Sequence, residues 1–95
     1  MKQHKTNENI FKTLGFDAVA AENLRLRAEI MRFIVKLIEV NGWTQAEAAK
    51  HLHVSQPRIS EIKQGKIDLF TIDKLVNILA HLDKKIDIKI KDAAA

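Results

Sequence analysis

Apolar residues recur at helical spacing through most of the chain. One stripe, at intervals of three and four residues, lies between residues 17 and 41 and ends at Asn41-Gly42, a pair typical of a helix C-terminus. Its members are Leu26, Ile30, Ile34, Leu37 and Ile38. A helix over the whole stretch would be roughly 35 Å long at 1.5 Å per residue. Because one small core cannot cover that length, we expect a break near residues 20–23 or a partner subunit.

Two further elements follow near the end of the chain. A helix is predicted from the cap residue Thr71 to about Leu82, and its buried side holds Ile72, Leu75, Val76, Leu79 and Leu82. After Asp83 the period becomes two, which predicts a half-buried strand over residues 85–91. A lone strand leaves its backbone unpaired, so its simplest partner is the same strand of a second subunit. Ile86, Ile88 and Ile90 are then the predicted dimer interface, with pairing to the N-terminal arm as the alternative.

Residues 44–64 contain two short helical patterns separated by a tight turn. Thr44 and Glu47 have the spacing of a capping box, Ser55 can cap the second helix, and Pro57 lies in a first turn that needs no N–H from it. The apolar residues placed where two crossing helices touch are Ala48, Leu52, Val54, Ile59 and Ile62. This is the layout of a helix-turn-helix, which lays its second helix in the major groove of DNA.

The second helix of the motif has a polar side opposite Ile59 and Ile62. Amide, hydroxyl and carboxylate groups there match base edges, whereas the basic groups on its flanks and the start of the first helix suit phosphates. The predicted base contacts are Gln56, Ser60, Glu61 and Gln64, and the other predicted DNA contacts are Thr44, Gln45, Ser55, Arg58, Lys63 and Lys66. Each residue alone is also ordinary on a solvated helix face, but their grouping on one face favours the groove interpretation.

Composition narrows the classes of protein. The 95 residues allow one domain, and a net charge of +4 permits attraction to a polyanion. There is no cysteine and no apolar run of signal-peptide or membrane-span length, so we expect a soluble, cytoplasmic protein. His51 and His53 lack a third metal ligand nearby, and no recognised catalytic arrangement is present. We expect no metal, no cofactor and no enzymatic activity.

The predicted organisation is an all-α domain of five helices with a short C-terminal β-strand paired across a dimer. Residues 1–9 are predicted as a flexible arm, residues 10–91 as one domain and residues 92–95 as a tail. Ile10, Phe11, Leu14 and Phe16 are predicted to form a short turn that covers one end of the core.

The stretch TQAEAAKHLHVSQPRISEIKQGK resembles the helix-turn-helix of phage-repressor-like (XRE, Cro/C1-type) regulators. With NIFKTLGF, LRLRAEIMRFIVKLI, GKIDLFTIDKLVNIL and KKIDIKI, the chain is similar over residues 9–90 to the HigA-like antitoxin branch. The resemblance implies a lambda-repressor-like fold and a homodimeric repressor of a palindromic operator, often partnered with a RelE-like toxin. One position departs from the pattern, because His53 stands in the turn where the family usually has glycine.

Overall fold

The computed structural model describes residues 18–92. The regular secondary structure within this range is helical, as the sequence predicts. The helices are α1 (Ala18–Asn41), α2 (Gln45–Leu52), α3 (Gln56–Lys63) and α4 (Ile72–Ala80), with a 3₁₀ turn at Ile67–Leu69 between α3 and α4. A fifth helix is not among residues 18–92. The arm predicted at 1–9, the turn predicted at 10–16 and residues 93–95 of the predicted tail lie outside the described residues. None of the helices that the model describes combines the length and apolar character needed to cross a membrane.

Helix α1 runs without interruption from Ala18 to Asn41, so the break predicted near residues 20–23 is absent. Its N-terminal half is mostly exposed, and Val19 retains 78% of its accessible surface. Exposed ion pairs help to hold this half, since Arg25 contacts the carboxylates of Glu22 at 2.7 Å and Glu29 at 3.5 Å. The hydrogen bond from Arg25 lowers the pKa of Glu22, and the same bond raises the pKa of Arg25. The N-terminal half of α1 therefore extends past the core of the described residues as a continuous helix.

The core forms where α2, α3 and α4 pack around the C-terminal half of α1. Its buried members are Met31, Ile34, Ile38, Ala48, Leu52, Ile59, Ile62, Phe70, Leu75, Ile78 and Leu79. Two positions of the predicted stripes are wrong in detail, because Leu26 and Val76 stay exposed while Met31 and Ile78 are buried. Leu26 lies on the N-terminal side of Met31, which is the first buried residue of α1, so this part of the helix extends past the core. The apolar pattern thus places the helices correctly but not the limits of the surface they bury.

Each of the four described α-helices is followed, within three residues of its last residue, by a residue in the left-handed region. Gly42, His53, Gly65 and Asp83 have φ values of 65°, 59°, 73° and 57°. At each end the next residue donates its backbone N–H five positions back, for example from Val54 to the oxygen of Ala49 at 3.1 Å and from Lys84 to the oxygen of Leu79 at 3.1 Å. Two of the positions carry side chains, and L-residues adopt this conformation at a cost of about 1–2 kcal/mol.

The strand predicted at 85–91 is not formed within residues 18–92. This segment follows α4 and has no regular secondary structure in the single chain. Ile86, Ile88 and Ile90 are 36%, 80% and 90% exposed, so the apolar face of the alternating pattern is left largely uncovered. A strand requires a neighbour for its backbone hydrogen bonds, and the described part of one chain offers none.

Candidate nucleic-acid interface

Helix α2 begins with the capping box that the sequence predicts. The hydroxyl of Thr44 accepts the backbone N–H of Glu47 at 3.1 Å, and the Glu47 carboxylate accepts the backbone N–H of Thr44 at 2.8 Å. Both groups are exposed, and Gln45 at the first position of the helix is exposed beside them. The start of α2 is therefore fixed in direction while its first turn stays open to a ligand.

Helix α3 also begins as predicted. Ser55 accepts the backbone N–H of Arg58 on its side-chain oxygen at 3.4 Å, and Pro57 occupies the first turn. Gln56 and Pro57 are exposed there, ahead of any residue of α3 that reaches the core. The N-terminal end of α3 therefore projects from the surface with an amide side chain at its tip.

The crossing of α2 and α3 rests on four fully buried side chains. Ala48, Leu52 and Ile59 have no accessible surface, and Ile62 has 1%. Val54, in the turn, is half-buried against the same cluster. Ala48 has only a methyl group at this contact, so it lets the two helix backbones approach closely. Rotation of α3 about its own axis would expose Ile59 and Ile62, so the polar side is held outward.

Two of the predicted base-reading residues on α3 are bonded to each other. The Gln64 amide donates to the Ser60 hydroxyl at 2.9 Å, and Ser60 is half-buried whereas Gln64 is exposed. Gln56 forms no side-chain hydrogen bond with any residue in the range 18–92, so its donor and acceptor are both available. Of the four predicted base contacts, Gln56 is therefore the one whose side chain forms no hydrogen bond within residues 18–92.

Arg58 and Glu61 point along the protein surface rather than away from it. The Arg58 guanidinium lies 2.9 Å from the Glu61 carboxylate, is 5.2 Å from the centre of the Phe70 ring and donates to the backbone oxygen of Leu69 at 3.5 Å. Their side chains are 39% and 28% exposed. These contacts connect α3 to the segment that precedes α4. A phosphate contact by Arg58 or a base contact by Glu61 would compete with this pairing.

The remaining predicted phosphate contacts are unobstructed. Lys63 ends α3, and Lys66 stands just after the Gly65 turn, and both side chains are exposed. Neither forms an ion pair with a residue of the described range 18–92. Together with Gln45 they leave unpaired donors at the start of α2 and at the C-terminal end of α3, which suits contacts that position the protein on phosphates.

Two ring contacts near the motif are not apparent in the sequence. Trp43 stacks on His51 with ring centres 4.1 Å apart, and His53 stacks on His81 of the α4 C-terminus at the same distance. The first pair joins residues eight positions apart on either side of α2's cap, whereas the second joins segments distant in sequence. Across residues 18–92 no group of three or more potential metal-ligating side chains comes together.

These features define a helix-turn-helix protein, in which a capped recognition helix is held across its companion by buried contacts. A family model described as a helix-turn-helix domain matches residues 10–91, so the chain belongs to this helix-turn-helix domain family. A comparison with curated proteins found no match. The fold and the family identify a DNA-binding module of the kind that regulates transcription.

Proposed function

We propose that the protein is a sequence-specific transcriptional repressor that binds double-stranded DNA as a homodimer. The observation that carries the proposal is the exposed N-terminal end of α3, where Gln56 presents an uncommitted amide on a rigidly held helix. Such an amide can donate and accept together, as adenine requires in the major groove. The proposal includes no enzymatic step.

The structure divides the predicted DNA contacts by availability. Gln56 is the leading base-reading residue, and the hydrogen-bonded pair of Ser60 and Gln64 would read bases as one unit. The capping residues Thr44 and Ser55 can offer their hydroxyls to phosphates from the starts of α2 and α3. Direct phosphate contacts are assigned to Gln45, Lys63 and Lys66, because their side chains extend into solvent. Arg58 and Glu61 hold α3 in place through the Arg58 Nη1 atom, and the Arg58 Nε and Nη2 atoms, which have no hydrogen-bond partner within residues 18–92, stay open to a phosphate.

The C-terminal segment is the proposed dimer contact. In an antiparallel pairing centred on Ile88, Ile86 lies opposite Ile90 of the partner subunit, and Asp87 lies opposite Lys89 of the partner subunit. Moving the centre by one residue sets either two aspartates or two lysines opposite each other. Lys85 lies opposite Lys91 of the partner subunit at the ends of this pairing, whereas the centre carries only opposite charges. The isoleucine pairs and the central charges therefore support this register, and the paired strands would cover the exposed isoleucines.

A symmetric dimer implies a palindromic operator. Two recognition helices related by a two-fold axis read half-sites whose centres are roughly 34–36 Å apart, one turn of B-DNA. The proposed dimer contact lies in the C-terminal segment and not in α2 or α3, so it uses none of the residues assigned to DNA contact.

The test is a binding series with the DNA upstream of the protein's own coding sequence. The wild type should bind with an affinity that falls as salt rises, because phosphate contacts release counterions. Gln56→Ala should lose about 1–3 kcal/mol of discrimination at one base pair of each half-site. The control Asn23→Ala removes an amide from α1 and should leave binding unchanged. Unaltered affinity and sequence preference in Gln56→Ala would contradict the base-reading assignment.

A role as an antitoxin is a second proposal, supported by the resemblance of the sequence to HigA-like antitoxins. In that role the protein would bind a RelE-like toxin and repress its own operon. The test is to examine the adjacent reading frame and to coexpress its product with this chain. A stable complex that relieves growth arrest supports the proposal, whereas the lack of a neighbouring toxin gene leaves the protein a stand-alone regulator.

A further inference from the structure

A small open cavity lies beside the turn of the helix-turn-helix, between α2, the start of α3 and α4. Its volume is about 200 Å³. The floor is formed by Leu52, Phe70 and Ile78, which are 0%, 2% and 4% exposed and therefore belong to the rigid core. A cavity of this size accommodates a group of a few heavy atoms, such as a phosphate, rather than a drug-sized ligand.

The polar side chains around this cavity are basic or amide groups. His53 comes from the turn, Arg58 from α3, and Lys74, Asn77 and His81 from α4, and no acidic side chain lines the cavity. Glu61 offsets part of the Arg58 charge from outside the lining. Three separate segments thus direct nitrogen donors toward one small volume. That arrangement attracts an anion and repels a cation.

These donors are also largely unused. Within residues 18–92 the side chains of Lys74 and Asn77 form no hydrogen bond or ion pair, and the imidazoles of His53 and His81 form no hydrogen bond but stack on each other with ring centres 4.1 Å apart. Arg58 uses its Nη1 atom for Glu61 and Leu69, which leaves Nε and Nη2 free of partners in the same range. By contrast, the guanidinium of Arg27 is occupied by Asn23 and by the backbone oxygens of Ile67 and Phe70.

We propose that this cavity, named here the α4 pocket and defined by His53, Arg58, Lys74, Asn77 and His81, binds a phosphate group. A phosphate has acceptor oxygens in several directions and can satisfy donors from three segments at once. The pocket lies on the Arg58 side of α3, away from Lys63 on the other flank of the helix. A phosphate of the DNA backbone bound there would hold the protein on DNA at a point beside the recognition helix α3. This assignment rests on the proposed function. A free phosphorylated molecule is the other source of the same chemistry.

The first arm of the test measures phosphate binding without DNA. Inorganic phosphate is titrated into the protein at constant ionic strength, with chloride as the balancing ion, and the imidazole NMR resonances are followed. We expect saturable shifts of the His53 and His81 resonances and no shift of His51, which stacks on Trp43 outside the pocket. Lys74→Gln should weaken the apparent phosphate affinity about tenfold by removing one charged donor. Lys36→Gln removes the same charge from α1 and is the matched control.

The second arm measures duplex DNA binding by the same two variants over a series of salt concentrations. If the pocket holds a backbone phosphate, Lys74→Gln should weaken binding to all duplex sequences alike and reduce the salt slope by about one. Lys36→Gln should match the wild type. Loss of affinity without a change in sequence preference separates this role from base reading by Gln56.

The two arms separate the possible outcomes. Saturable phosphate binding with weaker DNA binding in Lys74→Gln supports a DNA phosphate, and saturable binding with unchanged DNA affinity supports a free phosphorylated ligand. Shifts that do not saturate, or that appear equally with chloride or at His51, overturn the pocket whatever the DNA result. Failure of the wild type to bind any duplex contradicts the proposed function but leaves the phosphate titration readable.

Discussion

The helix-turn-helix and the C-terminal segment meet the same physical requirement in opposite ways. Residues 44–66 satisfy their helix ends with caps and bury Ala48, Leu52, Ile59 and Ile62 within one chain. Residues 84–92 carry an equally regular apolar pattern but expose Ile88 and Ile90 almost fully. The helix-turn-helix therefore buries its apolar side within the described part of the chain, whereas the C-terminal pattern leaves its apolar side exposed there.

The largest expected effect comes from exchanging one isoleucine in each region for alanine. Ile59→Ala should lower the free energy of unfolding by about 2–5 kcal/mol, because it leaves a cavity in the core. Ile88→Ala should change it by less than about 0.5 kcal/mol in dilute protein, because the side chain is exposed. Urea unfolding at low and high protein concentration checks both. A large loss for Ile88→Ala in dilute monomeric protein would show that the segment packs on its own chain.

The next effect tests the register proposed for the C-terminal segment. Asp87→Lys replaces two favourable cross-strand pairs by like charges and should raise the dimer dissociation constant roughly tenfold, at up to about 1 kcal/mol per pair. The double variant Asp87→Lys, Lys89→Asp exchanges the charges and should restore the dimer. Sedimentation equilibrium at moderate salt measures both constants. Equal weakening by the single and the double variant would contradict a register centred on Ile88.

A smaller effect is expected at the start of α2. Thr44→Ala removes the hydroxyl that accepts the Glu47 N–H and should cost about 1 kcal/mol of stability. Thr44→Ser keeps an acceptor at the same place and should cost much less. Thermal or urea unfolding compares the two variants, and equal losses would show that the methyl group of Thr44 matters more than its hydrogen bond.

The smallest effect concerns the two side chains held in the left-handed region, one in the turn of the helix-turn-helix and one just before the C-terminal segment. Asp83→Gly should raise stability by about 0.5–1 kcal/mol because glycine adopts this conformation without strain. His53→Gly should gain less, since it also removes the stack on His81. In a His81→Ala background the two glycine variants should gain equally. Melting temperatures test this. If His53→Gly gains the same stability with and without His81→Ala, the stack is not the reason for its smaller gain.

The parts of the structure that depend on neighbours in sequence were predictable. The capping box, the Ser55 cap and the helix stop at Gly42 follow from residues within a few positions of one another, and all three are confirmed. The pairing of Arg58 with Glu61 is also local, but the same two residue types suit DNA equally well. The sequence therefore predicts that both side chains contact DNA. Only the position of the Phe70 ring beside the guanidinium shows that Arg58 packs against its own chain.

Features that depend on how distant segments meet were not predictable. The turn residue His53 meets His81 only because α4 packs against the end of α2, and the pocket between them has no local signature. Likewise, Val76 and Ile78 lie on opposite flanks of the apolar side of α4, about 200° apart at roughly 100° per residue, and the neighbouring helices decide which one is buried. The strand pattern at 85–91 identifies an alternating face but does not identify what covers it.

If the protein dimerises through the exposed isoleucines of the C-terminal segment, its occupancy of DNA depends on the protein concentration. If the reading motif folds alone and pairs only through this segment, the species with two recognition helices grows with the square of the monomer concentration at low abundance. A repressor of its own gene would then be almost entirely monomeric below the dimer dissociation constant, and the dependence of dimer on total protein would fall from quadratic to linear above it. Substitutions at Ile88 would shift that threshold along the concentration axis without altering which DNA sequence is read.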